Sequence, residues 1–235
     1  MAIRIGSSCC LSTNMMQGNV VETRRFIGST SDWKEVCRTA IQNNQYLILT
    51  LCINRNDGSG YYPNDYEWMT FVNDSCSYLK NIGSNKWNTR LSLVNEPTKF
   101  CTKEQYAHLI DLAYPIIHGQ GFLVGAGNDE FSTAGVPMYQ YILENCKFDI
   151  LDIHIQGICD TEEKTRYWTD IAKEWADSHG KQIDCTEAFY ADIATPEGWK
   201  LLQAQLYHAE RIGCPNFCNV SSSIINDSSE ETKNE

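Results

Sequence analysis

The sequence predicts an α/β fold, a small (β/α)8 barrel of the TIM type, in a single domain that covers residues 1–225. Short apolar segments alternate with longer helical segments along almost the whole chain, and parallel strands require crossover connections of this kind. About eight strands can be counted, and none is followed by the GxGxxG turn typical of open dinucleotide-binding sheets. The 235 residues are also close to the ~250 of a typical single barrel.

The beginning of the chain predicts a trimmed first repeat. Residues 2–6 form a plausible first strand, but residues 9–19 are too short and irregular for a full crossover helix. Residues 19–26 are the predicted second strand, and Ser31 or Asp32 then caps a helix. The segment 46–53, YLILTLCI, is the clearest buried strand, because it is apolar on both faces as parallel sheets require.

The alternation continues to the end of the predicted domain. The later strands are a segment ending at Glu96 and residues 121–125, 148–155, 182–186 and 217–221. The predicted helices cover residues 32–44, 65–81, 103–119, 137–145, 161–179 and 196–212. No convincing helix follows the eighth strand, so the last helix is predicted to be weak. Residues 226–235 are polar and are expected to form a tail or linker.

Two of the predicted strands lead to a glutamate. The apolar run 91–94 stops at Asn95 and Glu96, and Pro97 closes it because proline cannot donate the next ladder hydrogen bond. The strand 182–186 leads in the same way to Glu187. Catalytic groups of a barrel sit at the carboxyl ends of its strands. A carboxylate pair there suits glycoside hydrolysis, in which one carboxyl protonates the leaving oxygen and the other attacks the anomeric carbon or activates water.

Asn95-Glu96-Pro97 and Thr186-Glu187 resemble the strand-four and strand-seven motifs of the clan A glycoside hydrolases, which include family 5 cellulases and mannanases. The resemblance covers nearly the whole chain in layout, although only these two motifs are specific. It implies a closed (β/α)8 barrel, with Glu96 as acid/base and Glu187 as nucleophile. It further implies a retaining enzyme acting on β-glycosidic bonds, with carboxyl groups about 5 Å apart, and no cofactor.

Six further residues at strand ends are candidates for substrate binding: Arg24, Arg25, Asn95, Asn128, His154 and Tyr190. Clan A members carry an arginine near the end of strand two that holds the nucleophile, and the sequence leaves Arg24 and Arg25 both open for this role. The resemblance assigns Asn95 to the sugar 2-hydroxyl and His154 to the wall of the catalytic subsite. The ordinary alternatives are a solvated arginine, a turn-capping asparagine and a core histidine.

The eighth strand departs from the clan A pattern. Members of the clan commonly end it with a tryptophan under the sugar, and residues 218–223, CNVSSS, contain none. Two alternatives therefore stay open. One is a lysozyme-like cell-wall hydrolase that uses the same carboxylates, and the other is a non-catalytic carbohydrate-binding protein on a degenerate barrel.

The amino-acid composition indicates which binding partners and which cellular compartment suit the chain. A net charge of −11 disfavours nucleic acid and anionic lipid, whereas a neutral carbohydrate tolerates it. No signal peptide or membrane-length apolar run is visible, and other domains of a larger chain remain conceivable partners. Eleven cysteines without regular spacing favour a reducing, cytoplasmic compartment. Neither Cys214/Cys218 nor Cys9/Cys10 has the spacing of zinc ligands, so no metal is expected.

Overall fold

The computed structural model is a closed barrel of eight parallel strands, in which each strand pairs with its sequence neighbours and the first pairs with the last. The predicted α/β class and (β/α)8 barrel are therefore confirmed. The structure describes residues 3–8, 10, 13–16, 18–28, 32–53, 61–133, 135–156, 159–188 and 195–219. The predicted polar tail lies outside these residues.

The strands and helices alternate in the described residues. The strands are β1 (Arg4–Ser7), β2 (Val20–Phe26), β3 (Tyr46–Cys52), β4 (Thr89–Leu93), β5 (Leu123–Glu130), β6 (Ile150–Ile155), β7 (Gln182–Ala188) and β8 (Asn216–Asn219). The helices are α1 (Trp33–Gln42), α2 (Asp65–Asn81), α3 (Lys103–Gly119), α4 (Val136–Asn145), α5 (Glu162–Ser178) and α6 (Pro196–Arg211).

The connection from β1 to β2 differs from the other crossovers. Its described residues contain only a short 3-10 turn at Thr13–Met15, whereas each later crossover contains one of the six helices. This agrees with the prediction of a trimmed first repeat. The predicted weak last helix would follow residue 219 and lies outside the described part of the chain.

Helix boundaries follow local capping. Helix α2 starts after Asn64, whose side-chain oxygen accepts a hydrogen bond from the Glu67 N–H at 3.0 Å. Helix α3 starts with a capping box, in which the Thr102 hydroxyl and the Gln105 side chain each bond the other residue's backbone N–H. Such caps satisfy the free donors of the first turn. Both helices have the bounds predicted from the sequence.

The carboxyl ends of β4, β5 and β7 differ from the prediction by two residues or more. Strand β4 ends at Leu93 rather than Glu96, because the Leu93 carbonyl accepts the Tyr106 hydroxyl at 2.7 Å and Val94 turns to a φ of 54°. Strand β5 continues past residue 125, and β7 continues past residue 186 to Ala188. The last residues of β5 and β7 both pair with β6, although each strand contains a register shift.

Most apolar burial lies between the outer face of the barrel and the helices. Leu47, Leu49 and Leu51 of β3, for example, are fully buried there in one continuous cluster with residues of the helices. The apolar part of the barrel interior is small, formed by Val20, Ile48 and Cys218 with Tyr46 packed against them. Burial of the outer face therefore supplies most of the hydrophobic stabilisation.

The barrel interior instead contains a buried ion cluster, formed by Arg90 on β4, Asp152 on β6 and Asp184 on β7. The guanidinium of Arg90, which is fully buried, donates to Asp152 Oδ2 at 2.9 Å and to Asp184 Oδ2 at 2.8 Å. Ser92 donates to Asp152 Oδ2 at 2.6 Å. Gly125 leaves room for this cluster, since a Cβ there would lie 2.5 Å from Arg90 Nη1. These contacts tie β4, β6 and β7 together through the centre of the barrel.

The helices and the cysteines each give one observation on the cellular environment of the chain. No helix in the described ranges combines the length and apolar character needed to cross a membrane. The ten cysteines that the structure describes are all free, and nine of them are buried. The reducing compartment stays a prediction.

Candidate active site

Five strands deliver the predicted polar side chains to one end of the barrel, here called the mouth, formed by the carboxyl ends of the strands. The parallel arrangement makes all these ends meet. The predicted site residues found there are Arg24 on β2, Asn95 and Glu96 after β4, Asn128 on β5, His154 on β6 and Glu187 on β7.

Glu187 is buried and held by a cation. Its side chain is 11% exposed, and its Oε2 accepts a hydrogen bond from Arg24 Nη2. Arg24 Nε lies 3.5 Å from Glu22 Oε1, and Ser8 donates to Glu22 Oε2 at 3.0 Å. One guanidinium therefore lies between two carboxylates, so it both orients Glu187 and offsets part of the cost of burying its charge.

A bulge in β7 turns Glu187 toward the mouth. Asp152 pairs with Asp184 and Ile153 with Cys185, but His154 then pairs with Glu187, so Thr186 is an extra residue. Side chains alternate along a regular strand. Asp184 points into the barrel, so an unbroken β7 would direct Glu187 toward the helices. The extra residue changes that alternation and brings Thr186 and Glu187 to the same side.

A second bulge, in β5, turns the side chain of Asn128 toward the mouth. Strand β5 shifts register between Gly127 and Asp129, and Asn128 adopts a φ of 47°. Two buried tyrosines from the helix layer take the backbone groups that this irregularity frees. Gly127 N–H donates to Tyr106 Oη at 2.9 Å, and Tyr139 Oη donates to the Asp129 carbonyl at 2.6 Å. Hydrogen bonds from α3 and α4 thus stabilise the bulge.

His154 is a buried, neutral imidazole. Burial and the positive charge of Arg24 lower its pKa to about 4, although the charges of Asp129, Glu96 and Glu22 act in the opposite direction. Its Nε2 lies 3.2 Å from Asn128 Oδ1 and 3.8 Å from Glu187 Oε2, and its Nδ1 lies 3.3 Å from Gln156 Nε2. Because Nδ1 faces an amide donor, the ring proton belongs on Nε2, which donates to Asn128.

Glu96 lies past the end of β4 in a left-handed conformation with a φ of 47°. Its backbone N–H donates to the Asn128 carbonyl at 2.9 Å. Its side chain is 22% exposed, and Oε1 accepts from Lys99 Nζ at 2.6 Å. Glu96 is therefore anchored to β5 through its backbone while its carboxyl stays within reach of solvent.

Polar contacts connect the two glutamates across the mouth. From Glu187, the path runs through His154 to Asn128, as described above. Asn128 Nδ2 donates to Asn95 Oδ1 at 3.4 Å, and Asn95 Nδ2 donates to Glu96 Oε2 at 3.4 Å. The two carboxylates thus belong to one polar network, and their expected separation of about 5 Å stays a prediction.

One of the predicted residues that the structure describes, Arg25, is not part of this network. Arg25 points away from the mouth, into the space between α1 and α2. Its Nη1 donates to the Phe71 carbonyl at 2.8 Å, and its guanidinium lies over the rings of Phe71 and Trp33. Alternation along β2 explains this, because Arg24 and Arg25 are neighbours and face opposite sides. Tyr190 lies outside the described residues.

Sequence reasoning assigned no role to four polar residues of the site: Ser8, Glu22, Gln156 and Thr186. Glu22 carried a usable signal, because it precedes Arg24 by two residues on the same strand and must share its face. Gln156 stands in the same relation to His154. Ser8 follows β1 without any motif around it.

The groups at the mouth are carboxylates, a guanidinium, an imidazole and amides. Such groups can transfer protons, attack as nucleophiles and bind hydroxyl groups. Within the described ranges, no three His, Cys, Asp or Glu side chains are grouped so as to hold a metal ion. The expectation that no cofactor is needed remains a prediction.

No protein-family model and no curated protein matches the chain. Solved structures do match its fold. A GH26 β-mannanase from Bacteroides ovatus has a TM-score of 0.63 and 13% identity, covering 86% of this chain and 71% of its own. An endo-1,4-β-D-mannanase from Thermotoga petrophila has a TM-score of 0.65 and 12% identity, with coverage of 86% and 79%. Cel5A from Thermotoga maritima, solved with cellobiose, has a TM-score of 0.64 and 14% identity, with coverage of 86% and 78%. The chain therefore shares the (β/α)8 barrel fold of these glycoside hydrolases.

Proposed function

We propose that this protein is a retaining glycoside hydrolase that cleaves β-glycosidic bonds in a polysaccharide or oligosaccharide. One observation carries the proposal. A buried glutamate held by an arginine, Glu187, shares the barrel mouth with a partly exposed glutamate, Glu96, and the polar side chains of His154, Asn128 and Asn95 lie between them. Two carboxyl groups in different environments suit the two roles that glycoside hydrolysis requires.

In the first step, the Glu187 carboxylate attacks the anomeric carbon while Glu96 protonates the leaving oxygen. The bond from the sugar to its leaving group breaks as the bond to Glu187 forms. Arg24 aims the Glu187 carboxylate through its Nη2. His154 contacts the same oxygen as a neutral ring, so it adds no second cation that would make Glu187 a weaker nucleophile.

In the second step, Glu96 accepts a proton from water, and that water displaces Glu187 from the anomeric carbon. The exposed part of the Glu96 side chain allows water to reach it. The Asn95 amide lies beside Glu96 and is the proposed donor to the sugar 2-hydroxyl, a hydrogen bond that strengthens in the transition state.

The likeness to a mannanase and to Cel5A supports a β-1,4-linked substrate. Those structures are described as an endo-1,4-β-D-mannanase and as Cel5A with cellobiose. We therefore propose mannan or glucan chains as the substrate class for this chain. Its net charge of −11 is compatible with a neutral polymer of this kind.

Hydrolysis of aryl β-glycosides and of β-1,4-mannan and β-1,4-glucan tests the proposal. We expect turnover by the wild type, its abolition in Glu187→Ala, and recovery of that variant by azide with formation of the inverted glycosyl azide. Glu96→Ala with azide should instead give the retained glycosyl azide, since its nucleophile is intact. Glu144→Ala, an exposed glutamate on α4, is the matched control and should keep full activity.

Other results of this experiment would replace the proposal. Turnover of peptidoglycan but of neither glucan nor mannan would select a lysozyme-like cell-wall hydrolase. Sugar binding without turnover, unchanged in Glu187→Ala, would select a non-catalytic carbohydrate-binding protein.

A further inference from the structure

We propose that Thr186 is a positioning residue that sets the orientation of the Glu96 carboxyl through two intervening amide side chains, those of Asn128 and Asn95. The inference rests on the proposed function and deepens it. It gives the residue before the nucleophile a role in delivering the proton to the leaving group.

The hydrogen-bond directions along this path follow from one fixed donor. Thr186 Oγ1 lies 2.7 Å from Asn128 Oδ1, and His154 Nε2 lies 3.2 Å from the same oxygen. Gln156 donates to the other ring nitrogen of His154, so Nε2 carries the ring proton. A donor on Nε2 requires the oxygen of Asn128, not its NH2 group, on that side.

The orientation of Asn128 then fixes Asn95. The Asn128 NH2 group faces Asn95, so Asn95 must present its oxygen, and the 3.4 Å contact is between these two groups. The NH2 group of Asn95 is left to face Glu96 Oε2, also at 3.4 Å. Each amide has one acceptor and one donor end, so reversing either of them would leave two like groups facing each other.

Thr186 makes the shorter of the two hydrogen bonds to Asn128 Oδ1, and its hydroxyl lies farther, 3.4 Å, from the Ile153 carbonyl. Its side chain is buried, with the residue 1% exposed, and it is the extra residue of the β7 bulge. Its backbone is thereby fixed next to Glu187. The strand that carries the nucleophile thus also determines how the acid/base is oriented.

Glu96 is held at both oxygens by different groups. Lys99, whose side chain is 59% exposed, binds Oε1, and Asn95 binds Oε2. Without the Thr186 hydroxyl, Asn128 loses its shortest side-chain hydrogen bond, and only the longer contacts with His154 and Asn95 hold its amide. The exposed Lys99 would then be the stronger remaining partner of Glu96 and would draw its carboxyl toward solvent.

Aryl glycosides that differ in leaving group separate this role from others. We would measure kcat/KM, which reports formation of the glycosyl-enzyme, for a dinitrophenyl glycoside and for an unsubstituted phenyl glycoside. Only the second needs a proton from Glu96. Thr186→Val should lower kcat/KM about tenfold for the phenyl glycoside, a fraction of the general acid contribution, and leave it within about twofold for the dinitrophenyl glycoside. Thr186→Ser, which keeps the hydroxyl, should restore most of the loss.

Two further variants guard against a change in folding. Thr169→Val makes the same substitution at a buried threonine of α5, whose hydroxyl bonds the Thr165 carbonyl at 2.8 Å, and should not distinguish the two substrates. Asn128→Ala interrupts the path at its middle and should reproduce the dependence on the leaving group. Activity on the dinitrophenyl substrate reports that each variant is folded.

The possible results separate this inference from the proposed function. Equal losses on both substrates in Thr186→Val, or no loss on either, would overturn the positioning role while wild-type turnover still supported a glycosidase. Failure of Thr186→Ser to recover activity would also overturn it. Absence of any wild-type turnover would refute the proposed function first and this inference with it.

Discussion

Three residues at the mouth have a backbone conformation that residues other than glycine rarely adopt. Val94, Glu96 and Asn128 have φ values of 54°, 47° and 47°, and a left-handed residue other than glycine costs on the order of 1 kcal/mol or more. Asn44, at 56°, differs because it follows helix α1, where this conformation is common. The strain is therefore concentrated where β4 and β5 present Asn95, Glu96 and Asn128 to the site.

A residue-scale prediction concerns His154 and acid stability. Its pKa is about 4 in the folded protein and ~6.5 in an unfolded chain. Between these values the unfolded chain binds the additional proton, so this group makes the fold less stable as pH falls from about 6.5 to 4. Between pH 7 and pH 4.5 we expect it to lower the free energy of unfolding by roughly 2 kcal/mol.

Urea unfolding of the wild type and His154→Gln at these two pH values measures that contribution. The difference in stability between the two proteins should shift by that amount in favour of the variant at pH 4.5. His118→Gln, an exposed histidine on α3, removes no buried imidazole and is the matched control. An equal acid loss in wild type and His154→Gln would contradict the prediction.

At the scale of secondary structure elements, the ion cluster of Arg90, Asp152 and Asp184 depends on a glycine in β5, Gly125, which leaves it room. A Cβ on Gly125 would lie 2.5 Å from Arg90 Nη1 and closer still to Asp152 Oδ2. We expect Gly125→Ala to lower the free energy of unfolding by about 3 kcal/mol, because it combines overpacking with separation of a buried ion pair. Thermal or urea unfolding would measure this.

Gly119→Ala is the control for that substitution. Gly119 is the last residue of α3, and a Cβ there would meet no atom within 4 Å. Its replacement should be neutral or slightly stabilising, since alanine favours the helix. A wild-type-like stability of Gly125→Ala would show that Arg90 and Asp152 do not need the space.

The same scale shows what the sequence could predict. Helices α2 and α3 were placed to the residue, and the structure shows capping side chains at their starts. Strand ends were not, because the bulges at Asn128 and Thr186 leave no trace in the apolar pattern. Alternation along a β7 strand without the bulge would direct Glu187 toward the helices. The sequence placed Glu187 at the mouth because it follows a predicted strand, but alternation gave no account of how its side chain turns inward.

At the scale of the whole molecule, alternation predicted the class of fold, but closure of the barrel required more. Closure is the pairing of β1 with β8, in which Arg4 is opposite Asn216. Contacts between such distant parts of the chain have no local signature. The closed form was therefore predicted from the resemblance of two motifs to those of clan A. The absence of a tryptophan at the end of the eighth strand did not indicate which side chains take its place.

A prediction for the whole molecule follows from its thiols. Nine of the ten described cysteines are buried, and burial raises the pKa of groups such as Cys52 and Cys76 to about 12. Thiolate is the reactive form, so we expect at most the remaining two of eleven thiols to react within minutes with Ellman's reagent at pH 8. In denaturant all eleven should react.

Cys101→Ser identifies one of those two thiols, since Cys101 is the half-buried cysteine among those described. The variant should react with one equivalent less. Rapid reaction of more than two thiols in the native protein would mean that the helix layer opens readily.

The cluster of Arg90, Asp152 and Asp184 couples the evolution of strands β4, β6 and β7. Removing any one charge leaves the others buried without their partners, which typically costs 3–5 kcal/mol, whereas replacing all three with apolar residues of similar volume can be neutral or favourable. No path of single substitutions between these two interiors avoids an unstable intermediate. Among related sequences, these three positions are therefore expected to be inherited as a unit, with glycine at position 125 accompanying the charged form.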